Sequence, residues 1–232
     1  MMERKTVAIV ILTTHLMMGG CSRPSQPMRE TLPEAQPVPA AQPPAAPEPP
    51  EKMPALPPPT LAEIREAIKR IYADAVSIEA GRSSVVGDFN GDFSQDIAIV
   101  VRPSAGKVEE INGELATWIL GDPQKTNPPD PKKSVHRFPA AKEPVHIEQG
   151  DVLLAVIHGY GPEGWRNREA NQTFLLRNAA LADMRPLSPM NIQKAAGKNG
   201  NPPTLRGDVM RGRLAGEKGF LYWTGANYAW HR

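Results

Sequence analysis

The chain has 232 residues and a single cysteine, Cys21, so no intrachain disulfide and no cysteine zinc cluster can form. Aromatic residues are missing from the N-terminal part, and all 13 lie from Tyr72 onward. Net charge is also scarce: from Leu61 to Arg232 there are 22 Lys and Arg against 20 Asp and Glu. That balance lacks the basic footprint of a nucleic-acid binder. No apolar run is long enough to cross a bilayer as a helix. The longest, Val7 to Met18, has 12 residues and would reach roughly 18 Å against a hydrocarbon core of roughly 30 Å. Internal repeats are absent as well, which excludes solenoids and propellers.

Proline is abundant, but unevenly so. Of 26 prolines, 14 fall between Ser22 and Thr60, among Ala, Gln and Glu with no apolar periodicity. Such a segment cannot bury enough surface to offset its ordering entropy. It is expected to be a disordered, polyproline-II-biased tether spanning on the order of 120 Å when extended. The remainder suits one domain of ordinary size. The expected organisation is therefore a leader over 1–20, a linker over 21–59 and one globular domain over 60–232.

The leader has a positive start at Arg4 and Lys5, then the apolar run, then Met18-Gly19-Gly20-Cys21. A run of this length followed by small residues reads as a signal peptide. The four residues resemble the lipobox of bacterial lipoproteins. The resemblance implies that Cys21 becomes the first mature residue and carries lipid, with Met18 in place of the usual leucine. It also implies a cell-envelope location, with the chain held to the membrane by its lipid. Ser22, where inner-membrane retention usually goes with aspartate, favours the outer membrane or a periplasm-facing position in a Gram-negative host.

In the folded part, Thr60-Leu61-Ala62-Glu63 is a capping box. Leu61, Ile64, Ile68, Ile71 and Ala75 follow at helical spacing, predicting a helix to about Ala75. A second helix is expected from Lys107 to about Leu120, with Val108, Ile111, Leu115 and Trp118 on one face and Asp122-Pro123 ending it. Other apolar runs are short and β-branched or aromatic: Ser84–Val86, Ile97–Val101, Val152–Ile157, Thr173–Leu176, Val209–Leu214, Phe220–Trp223 and Tyr228–Trp230. They read as strands, the last two joined by a tight turn in which Gly225 supplies positive φ. Surface loops are expected over 128–133 and 197–203. The pattern is α+β, a mainly antiparallel sheet with two helices.

One stretch carries metal chemistry, Asp88-Phe89-Asn90-Gly91-Asp92-Phe93-Ser94-Gln95-Asp96. Asp88, Asn90, Asp92 and Asp96 place side-chain oxygens at loop positions one, three, five and nine, and the Ser94 carbonyl is the natural backbone ligand at seven. A hard cation such as Ca2+ takes six to eight oxygens, and short carboxylates at alternate positions supply them. The stretch resembles the calcium loop of FG-GAP and VCBS-type repeats, where a similar run leads into an apolar strand, here Ile97–Val101. The resemblance implies bound Ca2+ coupled to local folding. It extends to this one loop and not to a multi-bladed propeller. Two positions depart from the pattern. Phe93 stands at position six, usually glycine because the loop turns with positive φ, and Ile99 stands at position twelve.

Enzyme-like constellations are weaker. Gly159-Tyr160-Gly161-Pro162-Glu163-Gly164 has the G-x-G-x-x-G spacing, yet Pro162 interrupts it and no helical face follows, so it reads as a glycine-rich surface loop. His136, His146 and His158 show no metal-site spacing, and His158 beside the glycine loop reads as structural. Trp165, Tyr222, Trp223, Tyr228 and Trp230 read mainly as core. The expectation is an envelope-anchored lipoprotein with a calcium-stabilised binding or structural domain facing an envelope or extracellular ligand, with no catalytic residue assigned. The alternative is a hydrolase of envelope or extracellular polymer working through the Gly159–Gly164 loop, which a cavity joining His158, Glu163 and a nearby carboxylate would favour.

Overall fold

The structure is a computed structural model that describes residues 56–82, 84–126, 143–196 and 203–232. The lipobox, Cys21, the expected tether up to residue 55, the loop over 128–133, most of the loop over 197–203 and His136 lie outside the described residues. Among those described, no helix is long and apolar enough to cross a membrane.

The architecture is α+β, with two mostly antiparallel sheets between helices. The first helix, α1 (Leu61–Tyr72), starts as its sequence dictates. The Thr60 hydroxyl accepts from the Glu63 amide at 3.3 Å, and the Thr60 amide donates to Glu63 Oε2 at 2.7 Å. Its buried face is Ile64, Ala67, Ile68 and Tyr72, each large side chain contributing about 1.5–3 kcal/mol by burial. The helix ends three residues before Ala75.

Among the described residues, six strands form the first sheet: β1 (Val76–Ile78), β2 (Val85–Gly87), β3 (Asp96–Pro103), β4 (Ile119–Gly121), β5 (Leu153–Ile157) and β6 (Thr173–Arg177). Their order is β1-β3-β5-β6-β4, with β2 following β1 along the same edge of β3. Four strands form the second sheet, in the order β10-β9-β8-β7: β7 (Ala182–Leu187), β8 (Val209–Leu214), β9 (Glu217–Trp223) and β10 (Tyr228–His231). The β9–β10 hairpin turns at Gly225, whose φ is 100°.

Alternation along the strands sorts side chains between layers. Ile97, Ile99 and Val101 of β3 pack with α1, whereas Ala98 and Val100 face the second sheet and meet Met210, Leu221 and Trp223. Sheet faces covered on both sides explain why β3, β5 and β6 read as nearly continuous apolar runs. The outer face of the second sheet, with Val209, Phe220 and Tyr222, packs on Ile192 of α3 (Pro189–Ala196). The layers are thus helix, sheet, sheet, helix.

The expected second helix is corrected. Only Val108–Ile111, α2, is helical. Asn112 ends it, because its amide group donates to the Val108 carbonyl and also clamps Ile147, accepting from the Ile147 amide at 2.8 Å and donating to its carbonyl at 2.9 Å. Leu115 is 97% exposed, and Ile119–Gly121 pairs in parallel with β6 instead. Helical spacing was present there, but strand pairing prevailed over it.

Candidate functional site

The acidic loop joins β2 to β3, and its carboxylates are first of all partners of its own backbone. The Gly91 and Asp92 amides donate to Asp88 Oδ1 at 2.8 and 3.1 Å, and the Phe93 amide donates to Asp88 Oδ2 at 3.0 Å. The Ser94 amide donates to Asp92 Oδ1 at 2.8 Å, and Asn90 Nδ2 donates to Asp92 Oδ2 at 2.8 Å. These bonds wind the chain around Asp88. The winding needs positive φ at Gly91 (79°) and at Phe93 (67°), and Phe93 adopts it with its ring largely in solvent, 55% exposed.

Asp96 behaves differently. It is fully buried, with Oδ2 accepting from the Phe89 and Asn90 amides at 2.7 and 3.2 Å and Oδ1 accepting from the Gly159 amide at 2.7 Å. Burial pushes its carboxyl up to about 8, and the nearby Asp92 and Asp88 charges push the same way, against the Gly159 and Phe89 amides. Burial raises Asp88 as well, opposed by its own amide donors. Burial thus disfavours the charged form of both carboxyls, and a bound cation would displace the proton that Asp96 keeps.

Two segments distant in sequence complete the site. The glycine-rich stretch forms a 3-10 helix over Gly161–Arg166 and docks on the loop's exit. The Trp165 amide donates to the Gln95 carbonyl at 2.7 Å, and Ser94 Oγ donates to the Gly161 carbonyl at 2.9 Å. A Cβ at Gly159 or Gly164 would overlap the Gln95 carbonyl oxygen. The G-x-G-x-x-G spacing thus serves close backbone approach to the acidic loop. On the other side, Arg206-Gly207-Asp208 lies against Asp88. The Asp208 amide donates to the Asp88 carbonyl at 2.6 Å, and the Asp88 amide donates to Asp208 Oδ2 at 3.2 Å. Asp208 was not among the candidate residues. A Gly-Asp pair before a strand gives no signal of its own, since its contact partner lies 120 residues away.

Among the described residues, no three His, Cys, Asp or Glu side chains are gathered closely enough to hold a metal ion as they stand. The donor set nevertheless fits Ca2+ by its chemistry. Asp88 Oδ2, Asn90 Oδ1, both Asp92 oxygens and Asp96 Oδ1 each meet a single donor, and the Ser94 carbonyl accepts no backbone bond among those described. Binding would require the Asn90–Asp92 side-chain bond to open.

Among the described residues, His146 and His158 do not share a site. His146 is exposed. His158 is 1% exposed, with Nδ1 2.8 Å from Gln172 Oε1 and Nε2 2.7 Å from the Tyr228 hydroxyl. A ring so enclosed cannot reach a substrate, and exposed Glu163 makes no contact with it among the hydrogen bonds described. Trp165, Tyr222, Trp223 and Tyr228 are buried and Trp230 is partly buried, so these aromatics are core. Compared with family models, curated proteins and solved structures, the chain matches none.

Proposed function

We propose that this protein is an envelope lipoprotein, anchored through Cys21, whose folded part is a binding or structural domain with a calcium-stabilised loop formed by Asp88, Asn90, Asp92, Ser94 and Asp96. The observation that supports the calcium reading best is Phe93 at φ 67°. A bulky residue held in the left-handed region, with little burial in return, keeps the turn that wraps a cation between positions five and seven. The burial of Asp88 and Asp96, which disfavours their charge in the absence of a cation, supports it from the electrostatic side. The packing of His158 and of the aromatic residues leaves the binding or structural role ahead of hydrolysis.

Binding to the folded state alone stabilises by about 2.7 kcal/mol at a hundredfold excess over Kd. Calcium should therefore raise the melting temperature of the wild type, and Asp92→Ala should remove the increment. Superimposable curves with calcium and with chelator would end the calcium reading. The anchor is tested separately: labelled fatty acid should enter the wild type and not Cys21→Ser. Equal labelling of both would refute lipidation at that residue.

A further inference from the structure

Among the described residues, no strand covers one edge of the six-stranded sheet. β1 pairs only with β3, and the Ser104 amide donates to the Ala75 carbonyl at 2.9 Å while the Glu79 amide donates to the Val100 carbonyl at 3.0 Å. Ala75, Ser77 and Glu79 therefore turn their backbone groups towards β3. By the alternation of an antiparallel ladder, those of Val76 and Ile78 point outward, and no backbone partner for them occurs among the described residues. Farther along the same edge, β7 packs against β2. Beside β1 there is instead a groove of about 910 Å3, between the strand and α1.

The groove is apolar at its base and positive at its rim. Ile68, Val76 and Ile78 line it, with Leu61, 52% exposed, at one lip. Its two carboxylates are already engaged, Asp74 with Lys107 at 2.9 Å and Glu79 with Arg102. Arg65, Lys69 and Arg82 also line it, and none forms an ion pair among the described residues.

We propose that this groove receives an extended, acidic segment of a partner protein, which adds a strand to β1. Main-chain bonds to Val76 and Ile78 give such a segment its register. Alternate side chains enter the groove, apolar ones over its base and carboxylates at its ends against the three cations, while the residues between them point away from α1. An acyl chain leaves the strand edge unpaired. A second copy related by a two-fold axis brings Arg65 and Lys69 against their own kind. The chain's own proline-rich segment has no more than five residues between successive prolines, too short a run of amides for a seven-residue ladder. The groove shares no residue with the acidic loop, so this proposal stands or falls apart from calcium.

The test uses the full-length chain and the labelled peptide acetyl-Glu-Thr-Val-Thr-Val-Thr-Glu-amide, whose Glu and Val share one face, with the lysine-for-glutamate version as comparison, followed by anisotropy and by amide chemical shifts. The acidic peptide should bind about tenfold or more tightly than the basic one, with shifts confined to β1 and α1. Combining Arg65→Glu with Lys69→Glu should weaken the acidic peptide by about tenfold or more. Ile78→Pro deletes an outward amide and leaves the Ser77–Arg102 pairing intact, so it should also weaken binding, whereas Ile78→Val should not. Equal binding of the two peptides, or unchanged binding by the charge-reversed variant, overturns the proposal. So does a dimer that charge reversal dissociates, displacement of the peptide by anionic phospholipid vesicles, or tighter peptide binding after residues 23–54 are removed.

Discussion

Phe93 shows how a single residue can oppose its own backbone. An L-residue in the left-handed region costs roughly 1 kcal/mol relative to glycine, and a ring that is 55% exposed regains little of it. Phe93→Gly is therefore expected to stabilise the calcium-free domain by about 0.5–1 kcal/mol and to strengthen calcium binding, because the turn is then held without strain. Paired melts of the two proteins, with chelator and with calcium, check this. A lower melting temperature for Phe93→Gly in chelator would mean that the ring packs well enough to offset its backbone. The spacing of Asp88, Asn90 and Asp92 marked a loop with alternate short polar residues, but not that their oxygens accept from the loop's own amides. The inward role of Asp96 was not legible either, because its third donor is the amide of Gly159, 63 residues farther on. Local spacing carries no information about such a donor.

At the scale of elements, the acidic loop and the glycine-rich 3-10 helix act as one unit, and glycine makes their contact possible. Gly159→Ala should cost about 1–3 kcal/mol, since its Cβ would press on the Gln95 carbonyl and Ser94 Oγ and neither can recede without breaking the loop. Gly150→Ala is the control. Nothing lies within 4 Å of a Cβ there and its φ is not positive, so it should be neutral or stabilise by up to about 1 kcal/mol. Urea unfolding of both variants measures the difference, and equal midpoints would show that the close approach carries no energy. The strands covered on both faces were legible because burial on each side demands β-branched or large apolar residues throughout. Less legible were β1, with three residues, and β7, whose Pro186, exposed positions and bulge near Asp183 remove the alternation. The third helix went unread although Ser188-Pro189 marks its start, where the Ser188 carbonyl accepts from the Asn191 and Ile192 amides. Its short run offers too little periodicity to identify.

Across the whole molecule, the two sheets meet at His158, at the end of β5, and Tyr228, at the start of β10. The imidazole lies among Phe174, Trp223 and Tyr228, with ring centroids 5.1, 5.1 and 5.8 Å away. Burial lowers its pKa, partly offset by the bond to Gln172. An unfolded chain protonates this histidine near pH 6.5 while the folded one resists, so its contribution to stability is present above about 6.5 and is lost as pH falls below it. Asp96 has the opposite sign. Its carboxyl is held up to about 8 in the fold and near 4 when unfolded, so the folded state keeps a proton that the unfolded chain releases, and stability rises as pH falls from 8 towards 4. With calcium chelated, the melting temperature of the wild type should rise from pH 8.5 to about 6.5 and then level or fall towards pH 5. Replacing His158 by Gln removes the imidazole's titration and leaves a side chain able to bond the Tyr228 hydroxyl. His158→Gln is expected to melt lower than the wild type at pH 7.5, because the packing is poorer, yet to keep gaining stability down to pH 5. Profiles that stay parallel between pH 8.5 and 5 would mean that His158 titrates alike in the folded and unfolded chains, and that the contact between the sheets does not exclude the proton.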